Sequence, residues 1–190
     1  MIESNSKIFL ISGPSGVGKD SVINKVREIF IDFHFVITAV TRKRRIEEKE
    51  GINHFFVSIP EFEKMINNNE LIEWSEVYNN FYGVPKSQID VPVSEGKNVL
   101  IRVDVQGANK IKNLIPEVVS IFIKPENIEA IKMHLSNREG ISNEEILRRL
   151  NAAEEEIKLS KFFDYVITNP EGNIEYVIDE ERDIINKNLK

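Results

Sequence analysis

The glycine-rich segment over residues 12–21 is the feature that most constrains how this chain can fold. An apolar, β-branched stretch precedes it at residues 7–11, and apolar residues spaced three and four apart follow it. These flanks predict a buried strand before the segment and an amphipathic helix after it. The pattern Gly13-x4-Gly18-Lys19 is typical of a phosphate-binding loop. Glycines let successive N–H groups point at phosphate oxygens, and the lysine reaches the β- and γ-phosphates. The sequence therefore predicts a nucleotide-phosphate site.

The position after the lysine departs from the usual form of this loop. A serine or threonine normally stands there and holds magnesium, whereas this chain has Asp20 followed by Ser21. A carboxylate can ligate magnesium directly or through water, and Ser21 can supply the hydroxyl instead. Both alternatives remain open from the sequence.

Composition narrows the classes of function. The net charge of −6 argues against a nucleic-acid partner. No apolar run approaches the roughly 20 residues that span a bilayer, and no basic segment followed by an apolar one marks a signal peptide. The absence of cysteine excludes disulfides and zinc–thiolate sites. We expect a cytoplasmic monomer or homodimer with no nucleic-acid or membrane partner.

Strand-like and helix-like segments alternate along most of the chain. This pattern predicts an α/β fold with a parallel sheet flanked by helices and with ligands at the carboxyl ends of the strands. Residues 33–90 break the alternation with short strands and indicate an inserted substrate-binding subdomain. There we expect a strand over 33–40, a turn over 81–85, and a helix opened by a Ser58/Glu61 capping box. A helix from Pro125 and a second box at Ser142 and Glu145 are expected further on.

Arginines stand at two places that suit phosphoryl transfer. Donor and acceptor phosphates repel each other, so a transferase needs positive charge beside both. Arg42 and Arg45 follow a predicted strand, while Arg138 and Arg149 bracket a loop rich in Gly, Ser and Asn that is typical of a mobile lid. With Lys19, these residues are the candidate cations.

Along almost its entire length the chain resembles the guanylate kinases. Besides the phosphate loop, the motifs that carry this resemblance are Thr41-Arg42-x-x-Arg45, Gly51 with Phe55-Phe56, Leu71-Ile72-Glu73-Trp74, Tyr82-Gly83, Asp104-Val105-Gln106-Gly107-Ala108, Asn137-Arg138, Arg149-Leu150 and Phe163-Asp164-Tyr165-Val166-Ile167-x-Asn169. The resemblance implies a magnesium-dependent kinase that converts ATP and GMP to ADP and GDP. It implies one domain over residues 1–190, with a core of 1–32, 96–127 and 161–190, a GMP-binding subdomain at 33–95 and a lid region at 128–160.

The resemblance also assigns roles to residues. The catalytic residues it implies are Lys19, Arg42, Arg138 and Arg149. The ATP-binding residues it implies are Gly13, Pro14, Ser15, Gly16, Val17, Gly18, Lys19, Asp20, Ser21 and Asn169. The GMP-binding residues it implies are Thr38, Arg42, Arg45, His54, Glu73, Tyr82 and Asp104. The candidate magnesium ligands are Asp20, Ser21 and Asp104.

Glu73 falls on the family's guanine-reading carboxylate. A carboxylate only accepts hydrogen bonds, and guanine presents N1–H and N2–H as adjacent donors that adenine lacks.

Four further positions depart from the family pattern. The family has a tyrosine where this chain has His54 and an acid where it has Arg102. It usually has Ser or Thr where this chain has Val84, and many members have a lid arginine at His134.

Two other functions remain open. Ribose bisphosphate phosphokinases share the fold and often carry Gly-Lys-Asp-Ser in the loop, as here at Asp20 and Ser21, which makes ribose 1,5-bisphosphate an alternative acceptor. A non-catalytic GMP-binding module is the other alternative, although scaffold domains of this type have usually lost the phosphate loop.

Overall fold

The computed structural model describes residues 6–137 and 141–190, and these form two compact units. The first unit contains residues 6–8 and 32–118, and the second contains residues 9–31 and 119–190. The strands are β1 (Ile8–Ser12), β2 (His34–Phe35), β3 (Thr38–Val40), β4 (His54–Phe56), β5 (Leu71–Val77), β6 (Asn80–Pro85), β7 (Val99–Arg102), β8 (Val119–Pro125) and β9 (Tyr165–Asn169). The helices are α1 (Lys19–Ile29), α2 (Ile59–Asn67), α3 (Ser87–Ser94), α4 (Val105–Leu114), α5 (Ile128–Ser136), α6 (Asn143–Lys158) and α7 (Ile174–Asn188), with a 3₁₀ turn at Leu159–Phe162.

The second unit is built on three parallel strands in the order β1, β8, β9. Phe9, Leu10 and Ile11 of β1 are fully buried, as are Ile121 and Phe122 of β8. Apolar side chains on both faces are typical of a parallel strand covered on both sides. In this unit the phosphate loop joins β1 to α1.

The first unit contains a parallel pair and a separate mixed sheet. Strand β2 pairs with β7 in parallel. The other sheet has the order β4, β3, β6, β5; β3 and β4 are parallel, whereas β6 runs antiparallel to β3 and to β5. The predicted α/β class, with parallel strands flanked by helices and a second, mixed sheet, is confirmed.

The turn predicted over residues 81–85 is wrong, because that segment is strand β6. The chain reverses earlier, at Tyr78 and Asn79, whose φ angles are 51° and 60°. Since Val77 pairs with Asn80, these two residues form a two-residue hairpin loop of the kind that needs positive φ at both positions.

Gly83 lies within strand β6. A Cβ at this position would lie 2.8 Å from Leu71 Cδ1 and 2.9 Å from Phe62 Cζ. The glycine therefore allows Leu71 of β5 and Phe62 of α2 to pack closely against β6.

The first predicted capping box is confirmed, and the second is half formed. At α2 the Ser58 N–H donates to Glu61 Oε2 over 2.7 Å, and the Glu61 N–H donates to Ser58 Oγ. At α6 the Ser142 hydroxyl accepts from the Glu145 N–H over 3.2 Å, but the Glu145 carboxylate pairs instead with Arg149 and Arg148.

Two other predicted elements differ at their ends. The strand expected over 33–40 is two strands, since β2 pairs with β7 and β3 belongs to the mixed sheet. The helix expected from Pro125 begins at Ile128, because Pro125 still pairs with Asn169 at the end of β8 and Asn127 caps the helix. Within the part of the chain that is described, no helix has the length and apolar character needed to cross a membrane.

Glu181 of α7 is fully buried, and neither of its carboxyl oxygens has a hydrogen-bond partner among the described residues. Burial raises its pKa from 4.5 to about 8. The folded state therefore keeps a proton that the unfolded state releases, so the free energy of unfolding falls as pH rises between these values.

We expect Glu181→Gln to abolish this pH dependence. The gain in the free energy of unfolding over the unsubstituted protein is expected to grow from near zero at pH 4.5 to a few kcal/mol at pH 9. Urea denaturation at several pH values measures it, with the exposed neighbour Glu180→Gln as control. A gain that does not change with pH would contradict this account.

Candidate active site

The phosphate loop of the second unit has the backbone that its glycines predict. Gly18, which precedes α1, has a φ of 93°, in the left-handed region. Gly13 has a φ of 150°, and a Cβ there would lie 2.2 Å from the carbonyl oxygen of Ile123. Both positions therefore require glycine.

Lys19 curls back over this loop. Its ammonium donates to the carbonyl oxygens of Gly13 over 2.5 Å and Pro14 over 2.9 Å. The ammonium and the N-terminus of α1 thus place positive charge at one end of the loop, which is the arrangement of a phosphate site.

Arg149 and Asn169, both predicted for the ATP side, contact the loop. Arg149 Nη1 donates to Ser15 Oγ over 3.2 Å, while its Nε donates to Glu145 Oε1 over 2.7 Å. Asn169 Nδ2 donates to the Val17 carbonyl over 2.8 Å. The remaining predicted cation, Arg138, lies outside the described residues.

His134 is a loop contact that sequence reasoning missed. Its Nδ1 lies 2.8 Å from the Gly16 carbonyl oxygen, and because a carbonyl only accepts, Nδ1 carries the proton. Its Nε2 lies 3.4 Å from Glu171 Oε1. In the sequence, His134 stood out only as the replacement of a lid arginine.

Asp20 and Ser21 lie in the first turn of α1 and are exposed. Their carboxylate and hydroxyl oxygens are ligand types that suit a hard divalent cation. Among the described residues, no group of three or more His, Asp or Glu side chains forms a ready metal cluster.

In the first unit, the Arg42 guanidinium donates two hydrogen bonds to the Glu48 carboxylate. The distances are 2.6 Å from Nη1 to Oε2 and 2.5 Å from Nη2 to Oε1. The Arg45 N–H also donates to Glu48 Oε2 over 2.9 Å, and Arg45 Nη1 lies 3.8 Å from Oε1. Burial alone would raise the pKa of Glu48, but the hydrogen bonds from Arg42 and Arg45 lower it to about 2. Arg42 thus presents a fork suited to two oxygens of an anion.

Sequence reasoning missed Glu48. It stands in an acidic run at residues 47–50, and nothing in the sequence distinguishes it from its neighbours. Only the folded loop brings it against Arg42.

Thr38, His54 and Tyr82 lie close together on neighbouring strands of the mixed sheet. Thr38 Oγ1 lies 2.7 Å from His54 Nδ1, and the rings of His54 and Tyr82 are 6.4 Å apart in an edge-on arrangement. Burial, followed by the charge of Arg42, lowers the pKa of His54 to about 4, so its imidazole is neutral at pH 7. Burial opposes the charge of Arg42, yet Glu48 and Tyr82 outweigh it and raise the Arg42 pKa.

Glu73 is 6% exposed, and its Oε2 is buried without a hydrogen-bond partner among the described residues. Burial and then the charge of Asp104 raise its pKa to about 8, against the opposing effect of Lys110, whose Nζ lies 4.0 Å away. A buried acceptor without a partner is costly, and a ligand that donates hydrogen bonds would relieve the cost.

Asp104 caps α4, and both its oxygens accept hydrogen bonds. Oδ1 accepts from the N–H groups of Gln106 and Gly107 at 2.8 and 3.0 Å, and Oδ2 accepts from Ser75 Oγ at 2.9 Å. These bonds hold its carboxylate in a fixed orientation. Ser75, another residue that sequence reasoning missed, lies two positions from Glu73 on the same face of β5.

Val84 stands opposite Glu73 in the pairing of β5 with β6 and is fully buried. Its apolar side chain belongs to the packed interior, where it offers no hydrogen bond.

A phosphate loop between a buried parallel strand and a helix defines the class of P-loop nucleotide-binding α/β proteins. A family model described as guanylate kinase matches residues 5–188. The "Guanylate kinase 2, chloroplastic/mitochondrial" of Oryza sativa subsp. japonica is 40% identical over 94% of this chain, which spans 63% of that relative's length. The guanylate kinase of Oceanobacillus iheyensis is 35% identical over 97% of this chain and 89% of its own.

A solved structure agrees with this assignment. The crystal structure of guanylate kinase from Anaplasma phagocytophilum superposes with a TM-score of 0.80 at 32% identity, covering 98% of this chain and 88% of that one. The chain belongs to the guanylate kinase family.

Proposed function

We propose that this chain transfers the γ-phosphoryl group of ATP to GMP, giving ADP and GDP. Family membership supports the reaction. The observation that carries the choice of acceptor is the buried carboxyl oxygen of Glu73, which has no hydrogen-bond partner among the described residues. Guanine presents N1–H and N2–H side by side, and an ionised carboxylate accepts both. Adenine has no such pair of donors, so the same site disfavours AMP.

On the donor side, residues 13–19 would cradle the ATP phosphates, and Lys19 would neutralise the charge that develops on the γ-phosphoryl oxygens. Asp20 and Ser21 continue this ATP site, and Asn169 would lie near the adenine. Arg149, and Arg138 within the proposed lid at 128–160, would close over the γ-phosphate and exclude water.

On the acceptor side, Arg42 and Arg45 would hold the phosphate of GMP with Tyr82, and Thr38 and His54 would complete the GMP site. The paired grip of Arg42 on a carboxylate supports this, since a phosphate offers the same two-oxygen geometry. No general base is required, because a phosphate monoester with a second pKa of about 6 is already largely dianionic at pH 7.

Nucleotide kinase reactions generally need a divalent metal, and we propose Mg²⁺ bound with ATP. When bound, it would neutralise charge on the β- and γ-phosphates. Asp20 and Ser21 fit as ligands because they offer exposed oxygen atoms. Asp104 would act through water, since both of its oxygens already accept hydrogen bonds within the protein.

The predicted division into a core, a GMP-binding subdomain at 33–95 and a lid remains part of this proposal. So does action in the cytoplasm as a monomer or homodimer, without nucleic-acid or membrane partners.

The test is a coupled ADP-release assay with Mg-ATP in which GMP, dGMP, IMP, AMP, UMP and ribose 1,5-bisphosphate are offered separately. Fast turnover with GMP and little with AMP is the expected result. Turnover with the bisphosphate alone would instead favour the phosphosugar kinase that Asp20 and Val84 suggest. GMP binding without ADP release from any acceptor would favour a binding module.

The raised pKa of Glu73 predicts proton release when GMP binds. With a pKa of about 8, the free carboxyl is about nine-tenths protonated at pH 7. The guanine-bound form is ionised because it accepts two N–H donors. GMP affinity should therefore rise with pH up to the pKa of Glu73, and roughly 0.9 proton should leave per GMP bound at pH 7.

Calorimetry in buffers of different ionisation enthalpy measures the released proton. The release should nearly vanish at pH 9 and persist in Glu76→Gln, an exposed carboxylate on the same strand. Proton uptake, or no exchange at pH 7, would contradict the role proposed for Glu73.

Gly107→Ala should weaken GMP binding while leaving ATP binding intact. A Cβ at this helix position would lie 2.9 Å from Glu73 Oε1, so the carboxyl would have to move. We expect the KM for GMP to rise about tenfold with the helix itself stabilised, since alanine favours helix over glycine. Steady-state kinetics against Asn109→Ala, an exposed site on α4, tests this. An unchanged KM for GMP would show that Glu73 tolerates displacement.

A further inference from the structure

Two positions at which this chain departs from the family pattern contact each other. Arg102, at the end of β7, is half-buried, and its Nη2 lies 3.2 Å from His54 Nε2 and 3.4 Å from the Asn53 carbonyl oxygen. The family resemblance places a tyrosine and an acid at positions 54 and 102. An ionised acid at position 102 cannot donate to an imidazole, whereas a guanidinium can. The two departures therefore match chemically.

The donor and acceptor capacities fix the protonation of His54. A guanidinium only donates, so Nε2 must be the accepting nitrogen. A neutral imidazole with an accepting Nε2 carries its proton on Nδ1, which lies 2.7 Å from Thr38 Oγ1. Burial keeps the ring neutral by lowering the pKa of His54 to about 4, and Arg102 stays charged at neutral pH although burial lowers its pKa to about 10.

This protonation of His54 determines which hydrogen bonds the Thr38 hydroxyl can make. Its hydroxyl oxygen accepts from His54, and no other hydrogen bond of that hydroxyl is found among the described residues. The hydroxyl proton is then available to a ligand. Both ring nitrogens of His54 are engaged within the protein, so the imidazole keeps no N–H for the nucleotide.

We infer that Arg102 is a positioning residue that fixes His54 as the Nδ1–H tautomer, so that Thr38 donates its hydroxyl proton to the bound acceptor nucleotide. This inference rests on the proposed function for the identity of the nucleotide. The hydrogen bonds from Arg102 to His54 and from His54 to Thr38 leave the Thr38 hydroxyl as a donor at the acceptor site. This hydroxyl takes the place of the one that the family's tyrosine supplies.

The direct test is the tautomer of His54 in the free protein, read by ¹⁵N NMR of the imidazole nitrogens. The chain has three histidines, and His54→Asn identifies the signal of interest. We expect Nδ1–H in the unsubstituted protein and in Arg102→Lys, which keeps a donor. Arg102→Met should shift the population toward Nε2–H, because that nitrogen loses its donor.

Kinetics supply the second readout. Arg102→Met should raise the KM for GMP roughly tenfold with the KM for ATP within about twofold, whereas Arg102→Lys should recover most of the loss. Arg182→Met, a surface arginine of α7, controls for the change in net charge.

Three outcomes would overturn the inference: a His54 that carries its proton on Nε2 or is charged in the unsubstituted protein, a tautomer that Arg102→Met leaves unchanged, or an unchanged KM for GMP. Because the tautomer is measured without substrate, it shows whether Arg102 fixes the protonation of His54 even if GMP proves not to be the acceptor. Turnover of GMP with an unaffected tautomer would reject this inference alone. If Arg102→Met does not fold, the unsubstituted protein and Arg102→Lys still give the tautomer.

Discussion

Lys19→Met is expected to lower kcat for ADP formation by about 10²–10³-fold. Methionine keeps most of the length of the side chain but removes the ammonium, which in the free protein donates to the carbonyls of Gly13 and Pro14. In the proposed reaction that charge moves with the γ-phosphoryl group and stabilises the transition state more than the bound ATP. The KM for ATP should therefore change less than kcat.

The matched control for this substitution is Lys25→Met on the same helix, where the lysine is exposed and pairs with Glu28. Stopped-assay kinetics and the melting temperature should be measured for both variants. A loss below tenfold in kcat, with both proteins folded, would mean that Lys19 does not act on the transferring group.

Glu73→Gln is expected to lower kcat/KM for GMP by about 10²–10³-fold and to leave the low activity with AMP little changed. The amide offers one acceptor and one NH₂ group. Facing guanine N1–H and N2–H, it satisfies at most one of them and sets a donor against the other. The preference for GMP over AMP should therefore shrink by about the same factor.

Glu76→Gln is the control, because it makes the same chemical change on the exposed face of the same strand. The variant Glu73→Gln also removes the buried carboxyl that titrates with a pKa of about 8, so its kcat/KM for GMP should lose the rise with pH seen in the unsubstituted protein. An unchanged preference for GMP over AMP would show that another group reads the base.

The sequence predicted the elements that depend on interactions between residues close together in the chain. The strand, glycine loop and helix around Gly13 and Lys19 follow from periodicity and from glycine geometry. The Ser58 capping box follows from hydrogen bonding three residues apart. Such features depend on neighbours in the chain, and the sequence displays those neighbours directly.

Tertiary contacts decided what the sequence did not predict. Gly83 looks like a turn residue until Leu71 and Phe62 are packed against it. Glu48 looks like one of several surface acids until the folded loop places it in the fork of Arg42. The contact between Arg102 and His54 joins residues 48 positions apart, and no periodic pattern indicates it.

The most direct test of the proposed reaction is a ³¹P NMR time course of the protein with Mg-ATP and GMP. We expect the signals of ADP and GDP to appear together in equal amounts, with no inorganic phosphate, and neither to form when GMP is omitted. Inorganic phosphate with GMP unchanged would mean that ATP is hydrolysed rather than used for transfer to GMP. Spectra that do not change while GMP binds would contradict the assignment of an enzyme.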